Sequence, residues 1–115
     1  MIKGQVVPTV VGIRVYTAIL NQTGTAAPVA TVLNNTLGKT ISWQRVTTGQ
    51  YLGTLSSGVI DPNVSATFIG SANTTGKIIR AQGNGGLIIT ATNLSGTSED
   101  GISNVAVELR IYNIK

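Results

Sequence analysis

The 115-residue chain has room for one domain, and it contains no Cys and no His. That removes disulfides, thiolate or imidazole metal sites, a Cys nucleophile and the commonest general base. Its net charge of +4 comes from eight scattered cations (Lys3, Arg14, Lys39, Arg45, Lys77, Arg80, Arg110, Lys115) against four acids (Asp61, Glu99, Asp100, Glu108). Nucleic-acid binders cluster their cations, so no nucleic-acid partner is expected.

In chain order, residues 1–12 form a weakly patterned leader. Gly4, Pro8 and Gly12 interrupt it, yet Val6, Val7, Val10 and Val11 make it too apolar for a solvated tail. An extended apolar strip suits strand addition onto a partner's sheet edge. Residues 1–12 are therefore expected to be an attachment segment, with Val6, Val7, Pro8, Val10 and Val11 as its contacts, and 13–115 the domain. The alternative is an ordinary first strand, with Pro8 placing it at a sheet edge. The leader lacks the continuous apolar core of a signal peptide, and no apolar stretch nears the ~20 residues of a membrane span, so no membrane partner is expected.

Next comes a strand over Arg14–Leu20, closed by Asn21-Gln22-Thr23-Gly24, and one over Val29–Leu33, entered through Pro28. Thr40–Val46 and Gln50–Ser56 are joined by the short loop Thr47-Thr48-Gly49. Asp61-Pro62-Asn63 introduces Val64–Ile69, where Val64, Ala66 and Phe68 share a face. Lys77–Gln82 and Leu87–Thr92 flank Gly83-Asn84-Gly85-Gly86, the strongest turn signal in the chain. A polar loop, Asn93–Ser103, precedes Asn104–Ile114, which alternates with Val105, Val107, Leu109 and Ile111 on one face and Glu108, Arg110 and Tyr112 on the other. No helical three-four spacing is sustained anywhere. The pattern specifies an all-β chain: a single-domain antiparallel β-sandwich, jelly-roll-like, with about eight short strands. Leu87-Ile88-Ile89 is apolar on both faces and expects cover on both. With 42% apolar and only 10% charged residues, that points to a homo-oligomer.

The chemical motifs fail one by one. Gly70-Ser71-Ala72-Asn73-Thr74-Thr75-Gly76-Lys77 has one residue too many between its glycines for a phosphate loop, and Ile78 stands where Mg²⁺ needs a hydroxyl. Gly83-x-Gly85 lies in a hairpin with no helix behind it. A Ser nucleophile would need a Lys base, but Thr36, Thr74 and Tyr112 stand three residues before Lys39, Lys77 and Lys115. No enzyme and no cofactor are expected. Glu99-Asp100 could hold Ca²⁺, but such a pair is more often a solvated turn. Trp43 and Tyr51 flank one hairpin and would serve as ligand or interface contacts if exposed; a lone Trp among apolar neighbours is more often core. The five Asn-x-Ser/Thr sites, at Asn21, Asn34, Asn63, Asn73 and Asn93, are expected by chance in so Asn- and Thr-rich a chain.

One series of motifs is distinctive: Tyr16-Thr17-Ala18-Ile19-Leu20-Asn21-Gln22-Thr23-Gly24-Thr25 through Pro28 and Ala30, then Asn35-Thr36-Leu37-Gly38, Trp43-Gln44-Arg45, and Tyr51 with Thr54-Leu55. Residues 16–55 resemble a recurrent small β domain of Bacteroidetes phages, including crAss-like phages. The resemblance implies a bacteriophage virion structural protein, a small head-fibre or capsid-decoration module or a tail-fibre knob, located in the virion. It implies a homo-oligomer, by analogy a trimer, and a capsid or tail protein of the particle as partner. It brings no catalytic residues. The alternative is a carbohydrate-binding module that recognises a host-surface glycan.

Overall fold

The computed structural model describes residues 10–71 and 76–114. Within them the chain forms β1 (Val10–Gln22), β2 (Val29–Asn35), β3 (Ile41–Thr47), β4 (Gln50–Leu55), β5 (Ser65–Ser71), β6 (Lys77–Asn84), β7 (Gly86–Asn93) and β8 (Ile102–Ile114), and no helix. Two four-stranded sheets run β2-β1-β8-β5 and β3-β4-β7-β6. Every neighbouring pair is antiparallel. This is the eight-stranded antiparallel sandwich that the sequence specifies. Its likeness to a jelly roll lies in strand count and layering. The strand order is its own, with the β1–β2, β3–β4 and β6–β7 hairpins each kept within one sheet.

The strands follow from side-chain alternation. In β8, Val105, Val107 and Leu109 are at most 1% exposed, while Glu108 and Arg110 point outward and pair with each other. In β7, Leu87, Ile89 and Ala91 are fully buried and the residues between them face out. Both sheets contribute to one core, joined by Tyr16, Ala18 and Leu20 of β1 and Tyr51 and Leu55 of β4, with Leu37 and Ile60 plugging it from loops. Burying a Leu or Ile side chain stabilises by about 1.5–3 kcal/mol, so this cluster is the main source of stability.

β5 turns the other way. The face shared by Ala66 and Phe68 is the outer one, and Phe68 remains 47% exposed under the Arg110 guanidinium, 4.8 Å from the ring centroid. Core contact there comes from Ile69.

The first and last strands, 13 residues each, pair from Val10↔Ile114 to Gln22↔Ile102. Thirteen residues of strand span about 43 Å, which accounts for much of the 54 Å long axis. A register shift between Leu20 and Gln22 leaves Asn104 at φ 50°, a left-handed conformation that Asn tolerates, and the Asn21 side chain accepts from its N–H at 2.9 Å. The β6–β7 turn centres on Gly85, φ 76°, which also forms a two-way backbone bridge with Ile60.

Candidate interaction surface

One end of the sandwich is tied by a polar cluster. Gln22, the last residue of β1, is 2% exposed. Its Oε1 accepts from the Tyr51 hydroxyl at 2.6 Å and from Gly101 N–H at 2.8 Å. Its Nε2 donates to the carbonyls of Gly24 and Ala26, both at 2.9 Å, and so holds the β1–β2 turn. Asp100 accepts from Arg45 at 2.8–3.2 Å and from Gly49 N–H at 2.9 Å, and its Oδ1 lies 3.0 Å from the Tyr51 oxygen. Lys77 donates to the carbonyls of Asp100 and Gly101 at 2.5 and 2.7 Å. The Arg45 hydrogen bond, then the Gly49 N–H, holds the Asp100 carboxyl well below the usual carboxylate range. Burial, then the neighbouring Asp100, pushes Tyr51 up to about 12. These bonds join β1, β3, β4, β6 and the loop before β8, so the cluster closes this end of the fold.

Tyr51 therefore differs from its expected role: it is fully buried, and its ring presents no face to a ligand. Trp43 is half-buried. Its indole N–H donates to the Tyr16 hydroxyl at 3.2 Å, and its six-membered ring packs against Gly53, where any Cβ would stand 3.0 Å away. It belongs to the flank of the core. Asp100 is not a solvated turn residue; it is the centre of an ion pair with Arg45. Among the described residues, no three potential metal ligands cluster. The sequence reading missed Gln22 because one amide in a polar turn carries no signal of burial.

Among the described residues, four of the nine exposed large apolar residues, Ile13 (50%), Val29 (68%), Val32 (50%) and Leu33 (62%), lie on β1 and β2; Val46, Val59, Phe68, Ile78 and Leu94 are spread over the other strands and loops. β2 is an edge strand of seven residues, VATVLNN, with neither charge nor Pro. Edge strands are usually blunted by Lys, Pro or extreme shortness. This one has only a bulge, where its register against β1 shifts between Thr17 and Ala18. Val32 pairs with the fully buried Ala18, so it faces the core side of the sheet, yet half of it is open. The opposite sheet stops short of covering it.

Of the expected attachment residues, Val10 and Val11 open β1, with Val10 paired to Ile114. Val6, Val7 and Pro8 lie outside the described residues. Val10–Gly12 of the leader thus lie in the sandwich, paired with the end of β8. Ile88, expected to need cover on its second face, is half-buried on the outer side of β7, next to Leu52. Searches against family models, curated proteins and solved structures found no match to this chain.

Proposed function

We propose that the chain is a structural module of a bacteriophage particle, a small head-fibre or capsid-decoration protein or a tail-fibre knob, that works by assembling with copies of itself and with a capsid or tail protein. The observation that carries this reading is the β2 margin: a neutral, proline-free edge strand whose core-side Val32 and whose Val29 and Leu33 are left half or more exposed. Exposed apolar surface of this kind is typical of an association site. The resemblance over residues 16–55 supplies the phage setting, and threefold symmetry is the analogy to phage fibres. The low charge adds support, because neutral surfaces repel neighbours weakly.

The motif residues agree with an assembling rather than a catalytic role. Tyr16, Ala18, Leu20, Gln22, Leu37, Tyr51 and Leu55 of the series are buried, which supports reading that part of it as framework. Attachment to the particle is assigned to the leader, residues 1–12. A chain beginning at Val10 keeps β1 whole and tests it.

Light scattering after size exclusion tests self-assembly. The wild-type chain is expected to elute as an oligomer, and Val32→Asp with Leu33→Asp as a monomer with unchanged circular dichroism. A wild-type monomer at micromolar concentration overturns the assembly reading. The shortened chain is expected to keep its melting temperature and lose binding to particles that lack this protein; retained binding removes residues 1–9 from the attachment role.

A further inference from the structure

The outer face of the second sheet carries a different kind of surface. Alternation places Ile88 and Thr90 of β7 outward, between the fully buried Leu87, Ile89 and Ala91. The register sets Leu52, Ile88 and Gln82 in one row across the sheet, and Gln50, Thr90 and Arg80 in the next. Two depressions, of about 590 and 320 Å³, open along these rows and both are lined by Arg80 and Thr90; the larger also takes in Ile79, Ala81 and Ile88 and reaches Ile69 of β5 past the β6 edge, and the smaller takes in Ile78 and Leu94. Sites for small ligands range over ~300–1,000 Å³. None of the four carboxylates lines either depression. Asp100 and Glu108 are held by Arg45 and Arg110. Arg80 is exposed and, among the described residues, takes part in no ion pair or side-chain hydrogen bond.

Such a surface has a definite chemical preference. Amide and hydroxyl side chains both donate and accept, which matches sugar hydroxyls, themselves donors and acceptors. Ile88, which lines the larger depression, offers apolar area to the C–H face of a ring. A guanidinium without a partner is a planar fork suited to a carboxylate, which it can hold through two parallel bonds. A polyanion with a charge on every unit and no hydroxyl network would want several cations, and only one is present here. From this arrangement we propose that the trough across β4, β7 and β6 binds an acidic oligosaccharide, with Arg80 on a sugar carboxylate and Gln50, Gln82 and Thr90 on its hydroxyls.

Arg80 sits on the sheet margin opposite to β3, is exposed and, among the described residues, forms no ion pair, so its replacement is expected to leave the fold intact. The site is independent of β2: a monomeric protein can still bind the sugar, and an oligomer that ignores it leaves the assembly reading intact. The test is an amide-resolved nuclear magnetic resonance titration of the full chain with a galacturonate trisaccharide, and with maltotriose as the neutral control. Shifts are expected at Gln50, along Arg80–Gln82 and along Ile88–Thr90 with the acidic sugar. Arg80→Gln is expected to weaken binding at least tenfold and Gln82→Ala several-fold, with melting temperatures unchanged. Lys39→Gln, a cation outside both depressions, should leave affinity within twofold. The proposal fails if the acidic sugar produces no shifts, if shifts scatter over all the cations, if maltotriose binds equally well, or if Lys39→Gln costs as much as Arg80→Gln.

Discussion

Gln22→Leu keeps the side-chain volume close to that of Gln and removes the amide at the centre of the polar cluster. Two bonds to the rest of the fold vanish, from the Tyr51 hydroxyl at 2.6 Å and from Gly101 N–H at 2.8 Å. Partial substitutes exist. The Tyr51 proton can turn to Asp100 Oδ1 at 3.0 Å, and Gly101 N–H keeps its 3.2 Å contact with the Tyr51 oxygen. The Gly24 and Ala26 carbonyls lie in an exposed turn and regain water. A net hydrogen bond contributes about 1 kcal/mol, and a buried group left partly unsatisfied costs about 1–3 kcal/mol, so the expected loss is about 2–3 kcal/mol. At roughly 4 °C per kcal/mol for a domain of this size, melting should fall by about 10 °C. Urea titration gives the free energy and thermal circular dichroism the shift. Tyr51→Phe removes the same 2.6 Å bond from the other side, so the double substitution should be less destabilising than the two losses added, by about 1–2 kcal/mol. A Gln22→Leu loss under about 0.5 kcal/mol, or strict additivity with Tyr51→Phe, would refute the assignment of this cluster as a structural tie.

Three further outcomes follow from the same geometry. Tyr51 is raised to about 12 by burial and then by Asp100; the neutral phenol is favoured in the fold, so its contribution is full below pH ~10 and is lost as pH climbs through about 12. Tyrosinate absorbance followed alongside unfolding should show this alkaline loss, and Tyr51→Phe should reduce it. Asp100 is lowered, first by Arg45 and then by Gly49 N–H, so it stabilises above the unfolded carboxylate value of about 4 and that contribution drains as pH falls below it. Asp100→Asn should start less stable at neutral pH and then lose less than wild type in urea titrations from pH 4 downward. Gly49→Ala meets both a left-handed φ of 67° and a Cβ pressed onto the Ala91 carbonyl and within 2.9 Å of Glu99 backbone atoms, whereas Gly85→Ala, φ 76°, has open space. The first should lose more than about 3 kcal/mol and the second about 1 kcal/mol, the left-handed penalty alone; equal losses would mean the close approach at Gly49 relaxes freely.

The strands were readable because their alternation is strong. Arg14–Leu20 lies inside β1 and Leu87–Thr92 inside β7, and the Gly85 and Gly49 turns stand where glycine predicts them. β1 runs four residues further toward the N-terminus than its clean pattern, because Val10–Ile13 pair with the end of β8, a partner about a hundred residues away that local periodicity cannot reveal. The outward turn of Phe68 was hidden for a related reason. Alternation says only that Ala66 and Phe68 share a face; that it is the outer one, with Arg110 of the neighbouring strand over the Phe68 ring, depends on the pairing of β5 with β8. Tyr51 beside Asp100 was the least legible feature: the loop before Ile102 reads as polar and solvated, and only the fold brings it onto Arg45 and Gly49.

With so few acids in the chain, their placement decides which cations remain available. Asp100 is spent inside the end cluster on Arg45, and Glu108 on Arg110, which is also stacked on Phe68. Neither commitment involves the outer rows of β6 and β7, so among the described residues Arg80 takes part in no ion pair and no carboxylate lines the depressions beside it. The same scarcity leaves β2 without the charged residue that usually guards an edge. The same compositional fact thus bears on both proposals: the uncharged β2 margin proposed for self-assembly, and the trough of mixed apolar and hydroxyl lining in which Arg80, among the described residues, has no ion pair and which is proposed for an acidic sugar. They sit on different sheets, so a copy bound through β2 leaves Arg80 facing outward. An assembled particle would then display the trough many times over, and weak single-site binding would be multiplied by valency. Binding to a surface coated with the acidic glycan should therefore exceed the single-chain affinity by orders of magnitude for the oligomer, and by little for Val32→Asp with Leu33→Asp. Equal retention of the two on such a surface would break the link between assembly and recognition.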